Sequence, residues 1–340
     1  MSQAPTIRIP GEQGESHIYQ IQEKDLERIL EHFISILPIR PHDVGLDLPV
    51  GEWQDWGCGD GLAEAVLLKD NFANLLDRVT GYRGVDLYER RLARARVNHQ
   101  DLLTKKEVLK IGDHAKTWLE NVPITYEQGD IRALPASFKS GNASVILFSN
   151  VQHWLTPEES DAVLRRAFDV LQPGGYLLIS TNAPGTNNLV QRAYQNIMTQ
   201  LGEYTPDQNP EGYDPQLYSK FSSPLEPLNL SDLESQVRKV FGAANIKVGR
   251  QASEQFTFKI EKFIEAVSHY AMEAYLKVLE NVPFYQDPQQ GEARKELILH
   301  SIMQEVLRLS RGPDLTFRQY SNYLVVQKPK SNGNGGTGTM

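Results

Sequence analysis

From Trp53 to Thr181 the sequence alternates short apolar runs with segments of helical period, which restricts this stretch to an α/β fold with a mostly parallel sheet. Strands are expected at Trp53 to Trp56, Val79 to Asp86, Ile124 to Gln128, Ser144 to Ser149 and Tyr176 to Thr181. Helices are expected at Leu62 to Leu76, Glu89 to Asn98 and Glu158 to Leu171, with a further helix at Asp113 to Glu120 inserted before the third strand. Pro173, Gly174 and Gly175 should stop the preceding helix and turn the chain into the fifth strand.

The flanks read differently. Gln22 to Leu37 carries Leu26, Ile29, Leu30, Phe33, Ile36 and Leu37 at helical spacing, which is an amphipathic helix ahead of the first strand. Pro38 to Gly51 reads as a connecting loop. Beyond the fifth strand the alternation is lost, and Thr205 to Pro227, rich in Pro, Tyr, Asn and Ser, reads as an ordered loop. A helix at Leu230 to Phe241, a strand at Ile246 to Arg250, helical patterns at Lys259 to Asn281 and Glu292 to Leu309, and a last strand at Tyr320 to Gln327 complete the chain. The expected division is a flexible N-terminus (1–15), an N-terminal helix and flap (16–51), a ligand-binding core (52–184), a mainly helical cap that also supplies the last strands of the sheet (185–330), and a Gly-, Asn- and Thr-rich disordered tail (331–340).

A length of 340 residues suits one elaborated domain. The formal charge of -8 gives no footprint for neutralising phosphates, so nucleic acid is not an expected partner. Cys58 is the only cysteine, which excludes an intrachain disulfide and makes the cytoplasm the default compartment. Met1 to Gly14 has no apolar signal region and no run reaches membrane-spanning length, so no membrane association is expected. The eight histidines show no ligand spacing, and no metal is expected.

The motif with chemical content is Asp55-Trp56-Gly57-Cys58-Gly59-Asp60-Gly61, a glycine-rich turn between the first strand and the first helix. Such a turn lets a ligand sit directly on the main chain, and by itself it suits a dinucleotide as well. The third glycine of the dinucleotide pattern is replaced by Leu62. Asp86 ends the second strand, where a carboxylate accepts both hydroxyls of a ribose. Gly129-Asp130-Ile131 follows the third strand, placing an acid to accept from an adenine amino group and an apolar side chain for the ring face. Asp86 and Asp130 also suit helix capping.

With Leu171-Gln172-Pro173-Gly174-Gly175 before the fifth strand, the order of these motifs resembles that of the class I S-adenosylmethionine (SAM) dependent methyltransferases. The resemblance implies a Rossmann-like, seven-stranded, mostly parallel sheet and SAM as cofactor. It places Asp55 and the loop residues Gly57, Cys58, Gly59 and Gly61 at the methionine moiety, Asp86 at the ribose, Asp130 and Ile131 at the adenine, and Asn150 near the methionine end. The C-terminal half, through Phe256 to Ala266 and Tyr320 to Pro329, is loosely similar to trans-aconitate, malonyl-thioester and juvenile hormone acid carboxyl methyltransferases.

For the substrate side, His153 is the candidate general base and Trp154 the candidate apolar wall, since both follow the fourth strand. Tyr19 and Gln22 are the candidates on the N-terminal flap. The expected reaction is in-line methyl transfer to a small molecule, a carboxylate being one acceptor and an amine, thioether or hydroxyl the others. Arg250, Arg294, Arg311 and Arg318 are candidates to orient a carboxylate. A protein or RNA methyltransferase and a SAM-binding protein without methyl transfer stand as the other classes.

Overall fold

The computed structural model describes residues 16–37, 48–105, 111–152, 155–184, 193, 196–197, 228–242, 245–259, 300–310 and 314–330, with the backbone alone for 16–20, 258, 315 and 317. The element order is α1 (Ser16–Ile36), β1 (Gly51–Trp56), α2 (Leu62–Leu67), a 3-10 turn (Asp70–Phe72), α3 (Ala73–Leu76), β2 (Val79–Asp86), α4 (Glu89–Lys105), α5 (Asp113–Asn121), β3 (Ile124–Gln128), β4 (Ala143–Ser149), α6 (Pro157–Val170), β5 (Leu171–Asn182), α7 (Leu230–Phe241), β6 (Ile246–Lys259) and β7 (Asp314–Gln327). Residues 300–310 are helical.

The strands form one open seven-stranded sheet in the order β3-β2-β1-β4-β5-β7-β6. All pairings from β3 to β5 are parallel, and β7 runs antiparallel to both β5 and β6. Strand order moves one way from β1 to β3 and the other way from β4 to β5. Right-handed crossovers therefore put α2 to α5 on one face and α6 on the other.

Side-chain alternation along the strands fills both layers. Val145, Leu147, Tyr176, Leu178, Tyr323 and Val325 pack with the apolar residues of α1 to α5, while Ile146, Phe148, Leu177, Ile179, Leu324 and Val326 pack with those of α6 and α7. The central strand β4 and the later part of β5 read as continuous apolar runs because both faces are covered there. The start of α6 is fixed by a capping box in which Thr156 accepts from the Glu159 amide and Glu159 accepts from the Thr156 amide.

Helix α1 lies across β5 and β7 with its N-terminus toward the carboxyl ends of the parallel strands. Phe33 packs edge-on against Trp53 and, at 5.0 Å between ring centroids, against Tyr176, where β5 begins its regular pairing with β4. Asp25, two turns earlier, meets Tyr323, which pairs with Ser180 near the end of β5.

Four sequence expectations are corrected. The single helix over Leu62 to Leu76 is broken at Lys69, which is extended (ψ 143) while its ammonium is drawn to Glu23 and Glu27 of α1. The last two strands are longer than the apolar runs suggested: Ser253 to Lys259 pairs with Asp314 to Tyr320 beyond the end of β5. Among the described residues these arms pair with no third strand, so no continuous apolar run marks them. Lys259, expected to open a helix, is therefore the last strand residue and bridges Asp314 at 2.6 Å. Leu171, expected to end a helix, instead pairs with Ala143 in the sheet. Residues 1–15, Thr205 to Pro227, Ile260 to Asn281 and 331–340 lie outside the described residues.

Candidate functional site

Strand order reverses between β1 and β4, and in open α/β sheets ligands bind outside the carboxyl ends at such a point. Asp55, the loop Gly57 to Gly61, Asp86 and Asn150 all sit there, at the ends of β1, β2 and β4. A recess of about 400 Å³ lies instead at the opposite, amino ends, beside Gly51, Gly81 and Gly141, away from this constellation.

The loop is built on left-handed glycines: Gly57, Gly59 and Gly61 have φ of 77, 54 and 79. At Gly57 a Cβ would lie 2.4 Å from Val151 Cγ2, and at Gly61 2.7 Å from the Tyr126 hydroxyl. Glycine is required there by both dihedral and space. The amides of Gly57 and Cys58 donate to Val85 O, that of Gly61 to Cys58 O, and that of Gly59 to Asp86 Oδ2 at 3.0 Å. With these four amides already satisfied, the loop offers little of the N–H array that a pyrophosphate needs.

Asp86 is buried, and each of its oxygens accepts one backbone N–H, from Gly59 and from Tyr88. A carboxylate has about four acceptor directions. Asp86 therefore keeps capacity for two ribose hydroxyls, and the loop keeps the open main chain beside it. Burial raises its pKa, opposed by those two amides and by Arg91.

Asp55 is buried on the α1 face of the sheet and accepts from the Tyr82 hydroxyl at 2.8 Å. Burial pushes its pKa up to about 7, with the Asp86 charge adding to the rise and the Tyr82 bond opposing it. The carboxyl is thus poised to ionise when a cation arrives. Cys58 is buried and its thiol pKa is pushed upward by burial, so it is not a thiolate; its amide serves β2 and its sulfur packs near Gly84.

Asp130 departs from the expected picture. Its two oxygens are gripped by Arg132 through the guanidinium at 2.7–2.9 Å and through the Arg132 amide, and Arg132 also bridges Glu159. The Arg132 bonds hold the Asp130 pKa below the usual carboxylate range. Ile131 is buried in the same apolar cluster as Trp56, Val85 and Phe138.

Asn150 follows β4 with φ 56, the only non-glycine residue with positive φ among those described. Its amide donates to Ser180 O at 2.8 Å. Asparagine tolerates this conformation better than most residues, and such outliers gather at functional sites. Gln22 is half-buried on α1, one turn from Asp25. Tyr19 belongs to the same helix, but its side chain is outside the described residues, as are His153 and Trp154. Arg250 is exposed on β6 opposite Tyr323, within the seven-stranded part of the sheet, Arg318 is exposed on the β7 arm, and Arg294 and Arg311 are outside the described residues.

The sequence reading missed several residues. Glu64 of α2 is fully buried and binds the Tyr126 hydroxyl at 2.6 Å and His99 Nδ1 at 2.7 Å; Asn98 reaches Asp60 O from the same helix as His99. This group braces the glycine loop from beneath. Asp25 on α1 is the other. Both had one signal available, an acid lying within an otherwise apolar helical stripe. Among the described residues no group of three His, Cys, Asp or Glu is placed to hold a metal ion, and no helix is long and apolar enough to cross a membrane.

Residues 54–179 match the family model described as a methyltransferase domain. No curated protein matches the chain. Among solved structures, a presumed methyltransferase of Bacillus halodurans C-125 aligns over 90% of this chain and 100% of its own at 15% identity and a TM-score of 0.44. The YcgJ protein of Bacillus subtilis aligns over 89% and 99% at 13% identity and 0.43. The domain match falls on the segment that carries the glycine loop, Asp86 and Asn150: the chain contains a methyltransferase domain, and the cofactor of that domain family is SAM.

Proposed function

We propose that the chain methylates a small-molecule acceptor, with a carboxylate oxygen as the nucleophile. The observation that carries the reading of the site is the meeting of Gly59 N and Asp86 at 3.0 Å, which puts a half-engaged carboxylate beside a bare main-chain turn. In this reading the loop from Gly57 to Gly61 lies along the methionine moiety, Asp86 takes the ribose hydroxyls, Asp55 balances the positive charge of the methionine end, and Asn150 borders that end. Asp130 and Ile131 lie toward the adenine; Arg132 has to share the Asp130 oxygens for that contact to form. Gln22 and Tyr19, on the N-terminal turns of α1, and His153 and Trp154, after β4, border the acceptor.

Bound SAM supplies an electrophilic methyl group on a sulfonium. What the protein does is align and dehydrate. A carboxylate acceptor is already ionised, so no proton need move, and the reading asks for no base among the described side chains. The formal net charge of -8 favours a small acceptor over nucleic acid. Labelled SAM incubated with the protein and a metabolite extract should yield a low-mass product that releases labelled methanol in base, as a methyl ester does. A base-stable product would instead mean transfer to nitrogen, sulfur or a hydroxyl, and label on protein or RNA would end the small-molecule reading.

Asp86→Ala should weaken S-adenosylhomocysteine binding by about 10- to 100-fold, the loss of two charge-assisted hydrogen bonds, read by titration calorimetry. Unchanged affinity would remove Asp86 from the ribose. A pH dependence follows from Asp55. Its folded pKa lies above the ordinary value of about 3.9, so between pH 4 and 7 the folded state holds the extra proton and stability without ligand falls as pH rises through about 7. A bound cation favours the ionised form, so SAM affinity should fall about tenfold per pH unit below pH 7. Asp55→Asn should flatten that slope; a flat wild-type profile would contradict the role.

A further inference from the structure

Helix α1 buries a carboxylate where its neighbours Leu26, Ile29, Leu30 and Phe33 are apolar. Asp25 is 4% exposed, and its oxygens accept from the Tyr323 hydroxyl at 2.7 Å, from Gln319 Nε2 at 2.9 Å and from Asn150 Nδ2 at 3.4 Å. Gln319 Nε2 also lies within 3.2 Å of Asn182 Oδ1 and 3.3 Å of Ser321 Oγ. One carboxylate thus ties the N-terminal helix to the end of β4 and to β7, and through Gln319 to the end of β5. Adhesion of the helix alone would be served by another leucine, without desolvating a charge.

We propose that Asp25 is a positioning residue for the cofactor, acting through Asn150. This rests on the reading of Asn150 at the methionine end. A carboxylate only accepts hydrogen bonds, so it fixes which way the Asn150 amide is turned: the NH₂ branch faces Asp25, and Oδ1, on the other branch, is left as an acceptor. An acceptor is what the α-ammonium of the methionine moiety calls for. The residue so oriented is the one held in the left-handed region at the switch point of the sheet. Docking of α1, whose N-terminal turns extend toward the carboxyl ends of the strands, and the shape of the cofactor site are then one event, because the same carboxylate serves both.

The test is calorimetric titration with S-adenosylhomocysteine, with thermal midpoints measured alongside. Asp25→Asn removes the acceptor-only character at nearly constant shape, and should weaken binding about tenfold. Asn150→Ala should weaken it by a similar factor, and the double variant should bind no more weakly than Asn150→Ala alone. Tyr323→Phe, which removes a hydrogen bond to Asp25 without touching Asn150, should lower the thermal midpoint while changing affinity less than twofold. If Asp25→Asn does not fold, Asp25→Leu combined with Tyr323→Phe, which replaces both partners of the shortest bond by apolar groups, carries the same expectation. The proposal is overturned if the losses at 25 and 150 add, or if Tyr323→Phe weakens binding as much as Asp25→Asn. Wild-type affinity in Asn150→Ala would overturn the placement of Asn150 itself, whereas a loss there with wild-type affinity in Asp25→Asn would overturn only the role of Asp25.

Discussion

Gly57→Ala is expected to abolish measurable S-adenosylhomocysteine binding, a loss of at least 100-fold in a titration where the wild type saturates, and to destabilise the fold as well. Two effects combine. The left-handed φ of 77 costs a residue with a Cβ about 1–2 kcal/mol. The new methyl would sit 2.4 Å from Val151 Cγ2, a distance that forces loop or strand end to move, at a further cost of about 1–3 kcal/mol. Since Gly57 N also anchors the loop to Val85 O at 2.7 Å, the movement is paid in loop geometry, where the cofactor lies. The neighbouring glycines grade the effect. Gly61→Ala meets the Tyr126 hydroxyl at 2.7 Å and should rank close behind, while Gly59→Ala, with φ 54 and only an Arg91 nitrogen at 3.6 Å, should lose chiefly the dihedral contribution. Adding Val151→Ala to Gly57→Ala should restore part of the stability, because it removes the methyls that clash and leaves the dihedral strain. Equal losses at all three glycines would show that space at the loop is not what selects glycine.

Glu64→Ala is expected to lower unfolding free energy by about 3 kcal/mol in chemical denaturation, because it leaves partners of a buried charge unpaired. The Tyr126 hydroxyl loses its acceptor inside the protein, and His99 loses the carboxylate that raises its pKa. Glu64→Gln keeps an acceptor for Tyr126 and should lose roughly half as much, since only the charge pairing goes. The pH dependence separates the two contributions. His99 has a folded pKa above its ordinary value of about 6.5, so its stabilisation is complete below that pH and is lost as pH rises through the raised value. In Glu64→Gln that upper loss should disappear, while the lower decline due to Asp55, between pH 4 and about 7, should persist. A wild-type stability curve that is flat above pH 6.5 would contradict a charged His99–Glu64 pair.

Much of the core was legible because β4 and β5 are buried on both faces and the outer strands are bounded by turns. Val79–Asp86 and Ile124–Gln128 have the bounds expected from the sequence, and Leu230–Phe241 has the bounds its helical period marks. The β6–β7 arms were not legible as strands, because one face of β6 is exposed there and the residues alternate in burial where the central strands run continuously apolar. Lys69 broke an expected helix through a tertiary attraction to α1 that local propensity does not contain. At the site, glycines and strand-end acids announce themselves by type and spacing. Glu64, His99, Tyr126 and Asp25 do not, since their significance lies in partners 35 to 298 positions away in the chain. Asp130 was legible as a position, but its grip by Arg132 was not, although the two stand only two residues apart.

The most direct test of the account is a crystal structure of the chain with S-adenosylhomocysteine. The expected result is a ligand across the carboxyl ends of β1, β2 and β4, its ribose hydroxyls within hydrogen-bond distance of Asp86 and its homocysteine along Gly57 to Gly61 beside Asp55 and Asn150. A ligand seated elsewhere, or one whose ribose leaves Asp86 untouched, would contradict it.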